Sequence, residues 1–201
     1  LRTAGLDVLS LANNHAQDCT PDGVVESARV LENADLAALP PGETLILERN
    51  GIKLALLAFD DVGTPLDIDG AIRAIRAAKQ YGAQVIVSLH WGLEYQSSPS
   101  ARQEALAQEM FNAGAVVVWG HHPHVLQPVA WQRGGHDSPP FAISTLAVYS
   151  LGNALFDQFT PPDVRRSAVL LVTLGANGVQ SVQAIPILND PLTGSVKLAD
   201  E

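Results

Sequence analysis

Several residue types are scarce in this sequence. It holds one cysteine, Cys19, one methionine and only 5% aromatic residues in 201. A single thiol excludes an internal disulfide. Positive charge is short too, with 12 Lys and Arg against 21 Asp and Glu, a formal net charge of −9 and no basic run. Phosphate backbones and anionic bilayers need clustered cations, so no nucleic-acid partner is expected. Long apolar runs are missing as well. The best, "FAISTLAVYSLGNALF" (141–156), is interrupted by Ser, Thr, Tyr, Gly and Asn. It falls short of the roughly 20 apolar residues that a membrane-spanning helix needs. No secretory leader is read at the start, where Leu1 opens "LRTAG" like the tail of a helix. The sequence is therefore expected to be a single domain, residues 1–201, truncated at its N-terminus.

What is present is globular in kind, 47% hydrophobic and 16% charged, and long enough to bury a substantial core. The chain alternates. "DVLSLA" reads as a short strand, and "TPDGVVESARVLENA" as a helix with Thr20 as N-cap and Pro21 at its first position. "ETLILERNGIKLALLAF" is a hairpin turning at Asn50-Gly51. "DGAIRAIRAAKQYG" is an amphipathic helix with Ile72, Ile75 and Ala78 on its apolar face. "AQVIVSLH" and "AVVVWG" are buried strands on either side of a helix that begins near Ser98-Pro99 and ends at Gly114. Beyond residue 125 only strands follow, joined by Gly, Pro and Asn turns. The fold class is α/β, with an α/β half followed by a mostly antiparallel half.

Three polar clusters share one position, each following a strand: "ANNHAQD", "HWGLEY" and "GHHPH". Loops at the carboxyl ends of strands in an open α/β sheet converge on one crevice. Each cluster alone has a plain structural explanation. "ANNHAQD" suits a polar turn, His90 a satisfied core histidine, and "HHPH" a surface turn stiffened by Pro123. Three coincidences at equivalent positions are harder to explain that way, and imidazole is the commonest neutral metal ligand. An acidic protein handling a phosphate-like substrate would also take its positive charge from a metal. Trp91 and Trp119 are expected to pack at the sheet edge.

Four ordered segments carry a resemblance: "LSLANNHAQD" (9–18), "VIVSLHWGLEY" (85–95), "GHHPHVLQPV" (120–129) and "YSLGNALFDQ" (149–158). Together they resemble the bacterial capsule-synthesis family CapA, the poly-γ-glutamate biosynthesis proteins. That family's fold is that of the calcineurin-like metallophosphoesterases, a β-sandwich flanked by helices, here expected to lack its N-terminal strands. The resemblance implies a centre of two divalent ions, Mn, Fe or Zn, with Asn14, His90, His122 and His124 as ligands. It makes His15 the catalytic group beside the phosphate and places His121 between Gly120 and the ligand pair. Ser150 and Asn153 would border the site. Glu94 would orient a liganding imidazole, or else be a solvated loop charge.

The likeness has gaps. The family's opening acidic motifs find no counterpart, since Asp7 starts a strand and Asp60-Asp61 follow a hairpin. "ADLAALPPGE" departs from the family's glycine-rich turn, and "GAVVVWG" lacks an Asp common before it. The expected activity is metal-dependent phosphoester hydrolysis on an anionic polymer or phosphate ester, weak in this chain alone. The competing expectation is a non-catalytic cell-surface component for capsule polymer export or anchoring. An amidohydrolase-type zinc site fits less well, because its H-x-H pair belongs on a first strand. Homo-oligomerisation through an uncovered sheet carrying "DVLSLA" and "VIVSL" and an extracytoplasmic location complete the expectations.

Overall fold

A computed structural model describes residues 1–20, 22–133, 143–176 and 178–199. Three layers make up most of it. The central layer is a six-stranded sheet in the order β3-β4-β5-β6-β8-β7. Its members are β3 (Thr44–Arg49), β4 (Ile52–Asp60), β5 (Gln84–His90), β6 (Ala115–His121), β7 (Val129–Arg133) and β8 (Ile143–Val148). Strands β4, β5, β6 and β8 run parallel, and β3 and β7 close the edges antiparallel. The Asn50-Gly51 hairpin forms as expected, with both residues in the left-handed region at φ 52° and 75°.

Two helices, α2 (Ile68–Gln80) and α3 (Ala101–Ala113), cover one face of this sheet. Ile75 and Ala78 are buried there as the periodicity predicts, and Ile72 packs against the same cluster. Leu57, Ile75, Leu89 and Trp91 are wholly buried between helices and sheet. Each such side chain contributes about 1.5–3 kcal/mol by leaving water. The other face packs on a three-stranded antiparallel sheet of β9 (Arg166–Gly175), β10 (Gly178–Asn189) and β11 (Val196–Leu198). Val117, Leu146 and Val148 meet Leu170, Val172, Val179 and Val182 across that interface. The two stacked sheets and flanking helices match the expected sandwich. Among the described residues no helix is long and apolar enough to cross a membrane.

Several local expectations need correction. Helix α1 (Gly23–Asn33) starts later than Thr20, because the Thr20 carbonyl accepts from Gly23 N in a preceding turn and Asp22 takes the cap position. Pro21, expected at the first helical position, lies outside the described residues, as do the turns over 134–142 and at 177. Helix α3 is capped by Ser100 rather than Ser98. Ser100 Oγ accepts from Gln103 N, and Gln103 Oε1 accepts from Ser100 N at 2.9 Å, a reciprocal cap that Ser98 cannot make. Trp91 is wholly buried, but Trp119 leaves 48% of its surface exposed. It shares a strand face with Val117, at the end of β6 where cover by the second sheet is incomplete.

The largest correction concerns "DVLSLA". Its strand β1 (Val8–Ser10) pairs parallel with β2 (Ala37–Leu39) in a separate two-stranded sheet and does not share a sheet with "VIVSL". The hairpin strand β3 already occupies the edge of β4 that β1 would need. Helix α1 buries none of its residues fully, and Val25 and Val30 remain 69% and 62% exposed.

Candidate metal centre

Three parallel strands end in one row. Register pairs Asp60 on β4 with His90 on β5, and His90 with His121 on β6. The loops that leave these ends carry Asp60-Asp61, "HWGLEY" and "HHPH", so the strand ends bring together residues up to 64 positions apart in sequence. Pro123 and Val125 are buried, which anchors the "HHPH" segment to the core and removes the surface-turn explanation. His122 and His124 take positive φ values of 103° and 62°, and Tyr95 takes 63°. Non-glycine residues in that region cost about 1–3 kcal/mol each and concentrate at functional sites.

The imidazoles converge. Ring centroids of His90 and His122 are 4.7 Å apart, and those of His122 and His124 are 5.8 Å apart. Ligand-capable atoms of Glu94, His122 and His124 lie within 4.8 Å of one another. His122 is buried, and its Nδ1 has no hydrogen-bond partner. Buried polar atoms are rarely left alone, so an orphaned nitrogen on a histidine grouped with two other ligand-capable side chains fits a cation site. His124 is prepared in the same sense. Its Nδ1 donates to Asn153 Oδ1 at 2.8 Å, which leaves the Nε2 lone pair available. Asn153 is oriented in turn through Nδ2 to Gln158 Oε1.

His90 and Asn14 stand beside this group in another arrangement. His90 Nε2 bonds Asn14 Oδ1 at 2.8 Å, and its Nδ1 meets His121 Nδ1 at 2.7 Å. His121 Nε2 continues to Ser88 Oγ at 2.9 Å. On the other side Asn14 Nδ2 reaches His15 Nε2 at 3.3 Å, and His15 Nδ1 reaches Asp18 Oδ2 at 2.7 Å. A carboxylate only accepts, so Asp18 sets every donor in this chain of six side chains. His15 donates to Asp18, Asn14 to His15, His90 to Asn14, His121 to His90 and Ser88 to His121. His90 is thus a satisfied, buried histidine in part, as its plain explanation held.

Electrostatics agree with neutral rings. Burial and then the neighbouring imidazoles, His121 first, push His90 down from 6.5 to about 2. Burial and then His122 push His121 down to about 4. His122 is lowered by burial and His124, against the opposing pull of Glu94 and Asp60. Neutral imidazole is the form that binds metal.

Placement differs among the expected residues. Asn14, His15, His90, His121, His122, His124, Glu94 and Asn153 form one connected neighbourhood. Ser150 is a step removed, because its hydroxyl accepts from Gly152 N inside the turn that presents Asn153. Glu94, expected to orient a ligand from outside, has its carboxylate among the donor atoms themselves. Sequence reasoning missed Asp18, although it closes the quoted motif "ANNHAQD". It also passed over Asp60, whose carboxylate accepts from Val62 N and Gly63 N at the site's rim. From Asn14 and Asp60 an open cleft of about 600 Å³ runs past Thr64, Leu66 and Ala74. The nearby cation Arg102 is already paired with Asp61 at 2.5 Å.

Comparison with known proteins gives consistent matches. Residues 1–158 match the family model described as bacterial capsule synthesis protein PGA_cap. The chain is 32% identical to the capsule biosynthesis protein CapA of Bacillus anthracis, over 93% of this chain and 49% of that protein. It is 33% identical to the PGA biosynthesis protein CapA of Bacillus subtilis, over 93% of this chain and 52% of that one. A probable polyglutamine synthesis accessory protein of Mycobacterium tuberculosis is 24% identical over 63% of this chain and 42% of its own length. The chain therefore spans about half the length of the Bacillus relatives it matches. A crystal structure of a hypothetical protein from Thermus thermophilus superposes with a TM-score of 0.60 at 18% identity, covering 92% of this chain and 78% of that one. At that identity the likeness concerns the fold alone.

Proposed function

The chain belongs to the bacterial capsule synthesis family PGA_cap, and from that premise we propose that its strand-end cluster is a divalent-metal centre of a phosphoesterase-like hydrolase acting in capsule or poly-γ-glutamate synthesis. The observation that carries this reading is the group Glu94, His122 and His124 with the orphaned His122 Nδ1. These three would hold one ion of the Mn, Fe or Zn class, whose ligand preferences suit mixed imidazole and carboxylate. The second ion that the family resemblance implies would draw on Asn14 Oδ1 and His90 Nε2. Held there, a divalent cation would supply positive charge for a phosphate ester and would acidify water, which neutral imidazoles cannot do.

The chain's own residues supply the rest. Asp18 fixes the His15 ring through Nδ1 at 2.7 Å, which turns His15 Nε2 towards Asn14 and would place it to pass a proton to a leaving oxygen. Asn153 holds His124 Nδ1, which leaves the Nε2 lone pair for an ion shared with Glu94 and His122. An anionic polymer or phosphate ester would enter along the cleft that begins at Asn14 and Asp60. The net charge of −9 disfavours such a substrate without a bound cation. A component acting on capsule polymer would work outside the cytoplasm.

Calorimetric titration of the chain with zinc, followed by assay of bis(p-nitrophenyl) phosphate with manganese, tests this reading. Binding is expected to be modest, because the group holds a single carboxylate. Glu94→Gln and His124→Ala are each expected to weaken it about 10- to 100-fold or more, ligands mattering at least as much as their outer partners. No binding at millimolar metal refutes the metal centre. Binding without turnover favours the second reading, a non-catalytic surface component for polymer export or anchoring, which the single carboxylate also supports.

Self-association belongs to the same reading. Among the described residues β1 pairs only with β2, and Val25 and Val30 lie exposed on α1 nearby. Unpaired edges recruit other chains. Light scattering is expected to report a species heavier than 21.3 kDa that Val30→Glu shifts towards the monomer. A monomer in both variants would rule this out.

A further inference from the structure

The one-way chain of hydrogen bonds across the site cannot survive the use of His90 as a ligand. His90 Nε2 carries a hydrogen now, because Asn14 Oδ1, 2.8 Å away, only accepts. The direction of that amide is fixed independently from the far end. Asp18 requires a hydrogen on His15 Nδ1, which leaves His15 Nε2 to accept from Asn14 Nδ2 and turns Asn14 Oδ1 towards His90. A neutral His90 then has its lone pair on Nδ1, and the Nδ1 of His121 at 2.7 Å must donate to it. His121 accepts in turn from the Ser88 hydroxyl at 2.9 Å.

A cation at His90 Nε2 needs the lone pair on that nitrogen. A neutral His90 then carries its hydrogen on Nδ1, directly facing the Nδ1 of His121. Two N–H groups cannot share a 2.7 Å contact. We propose that His121 is a positioning residue for His90, exchanging its hydrogen from Nδ1 to Nε2 when His90 takes a divalent cation. In the reversed state His90 Nδ1–H donates to His121 Nδ1, and His121 Nε2–H donates to Ser88 Oγ. Each imidazole keeps one hydrogen in both states, so neither changes charge. The His90 Nε2 hydrogen passes to solvent, the His121 Nδ1 hydrogen to His90 Nδ1 and the Ser88 hydroxyl hydrogen to His121 Nε2, and water returns one hydrogen to Ser88, whose hydroxyl turns from donor to acceptor.

Ser88 is what makes the reversal possible. A backbone carbonyl in its place would only accept, and a backbone N–H would only donate, but a hydroxyl does both. The buried hydroxyl in the middle of "VIVSLH" and the extra histidine of "GHHPH" thereby acquire one shared role. Loss of the partner behind a liganding imidazole lowers metal affinity about 10- to 100-fold in general.

The inference rests on the proposal that His90 is a ligand, and the two can fail separately. Long-range proton–nitrogen NMR of the chain labelled with ¹⁵N-histidine reads which ring nitrogen carries hydrogen, before and after zinc is added. Without zinc, His90 is expected as the Nε2–H form and His121 as the Nδ1–H form. With zinc, His90 Nε2 shifts as a bound nitrogen and His121 converts to the Nε2–H form. If zinc leaves His90 Nε2 unchanged, the ligand assignment falls, and this inference with it. If His90 Nε2 becomes bound while His121 keeps its Nδ1–H, the inference alone is overturned. A second arm uses variants. His121→Ala is expected to weaken zinc about 10- to 100-fold, and His121→Asn, whose side-chain oxygen can stand where Nδ1 stood, to restore most of it. Equal affinity in His121→Ala and the parent chain would also overturn it.

Discussion

Lowering the pH from 7 to 4 without metal is expected to remove several kcal/mol of folding stability. The unfolded chain binds protons at its histidines near an ordinary value of about 6.5. The folded chain does not, because burial and then His122 hold His121 at about 4, and burial with its imidazole neighbours holds His90 near 2. Stability rises with pH wherever the unfolded state binds more protons, so it is fully present above pH 6.5 and lost as the pH falls towards 4. His121 alone contributes about 3 kcal/mol over that window, and His90 and His122 add in the same direction. Carboxylates act in a lower range. Asp190, held near 2 by the Lys197 side chain, loses its contribution between about 4 and 2. Urea midpoints at pH 7, 5.5 and 4 check the window, and His121→Asn should flatten the curve. A midpoint that does not move between pH 7 and 4 would mean that the rings are solvated and titrate normally.

The same burial explains how much could be read from the sequence. The Asn50-Gly51 turn, the apolar face of α2 and the runs "VIVSL" and "AVVVW" announce themselves because turn chemistry and periodicity are local. Convergence of "HWGLEY" and "GHHPH" was legible too, since the parallel strands β5 and β6 of one sheet end on the same side, whereas "ANNHAQD" reaches them from a separate sheet. What stayed hidden was set by competition between segments. Nothing in "DVLSLA" says that β3 will occupy the edge of β4 first, so β1 was expected in the wrong sheet. Ser98 and Ser100 both look like caps, and only the reach of Gln103 decides between them. Asp18 and Asp60 were missed for a related reason. Each is an ordinary loop acid in sequence, and only the folded loops bring Asp18 onto His15 and place Asp60 opposite His90.

Gly120, the first residue of "GHHPH", is expected to tolerate no side chain at all. A Cβ at this position would lie 2.1 Å from Trp91 Nε1 and 2.3 Å from the Tyr149 carbonyl oxygen. Those two atoms are hydrogen-bonded to each other at 2.9 Å, so the methyl would sit directly on that bond. Neither atom can yield cheaply, because Trp91 is wholly buried and the Tyr149 oxygen is backbone. Overpacking a core costs about 1–3 kcal/mol, and an orphaned buried N–H about as much again. Gly120→Ala is therefore expected to destabilise the chain by about 3 kcal/mol or more, a melting-temperature loss of about 6–12 °C for a chain of this size. Function should suffer with it, since β6 carries its last residues into His121, His122 and His124, and any shift at Gly120 moves all three rings. Zinc affinity is expected to fall about tenfold or more even at temperatures where the variant stays folded, because ligand bonds near 2.0–2.1 Å tolerate little displacement. Gly51→Ala is the control. It meets nothing within 4 Å and differs only in its φ of 75°, so it should cost about 1 kcal/mol and leave zinc binding untouched. A Gly120→Ala chain that melts within about 2 °C of the parent and binds zinc equally well would show that the close approach of β6 to Trp91 does not hold the histidines in place.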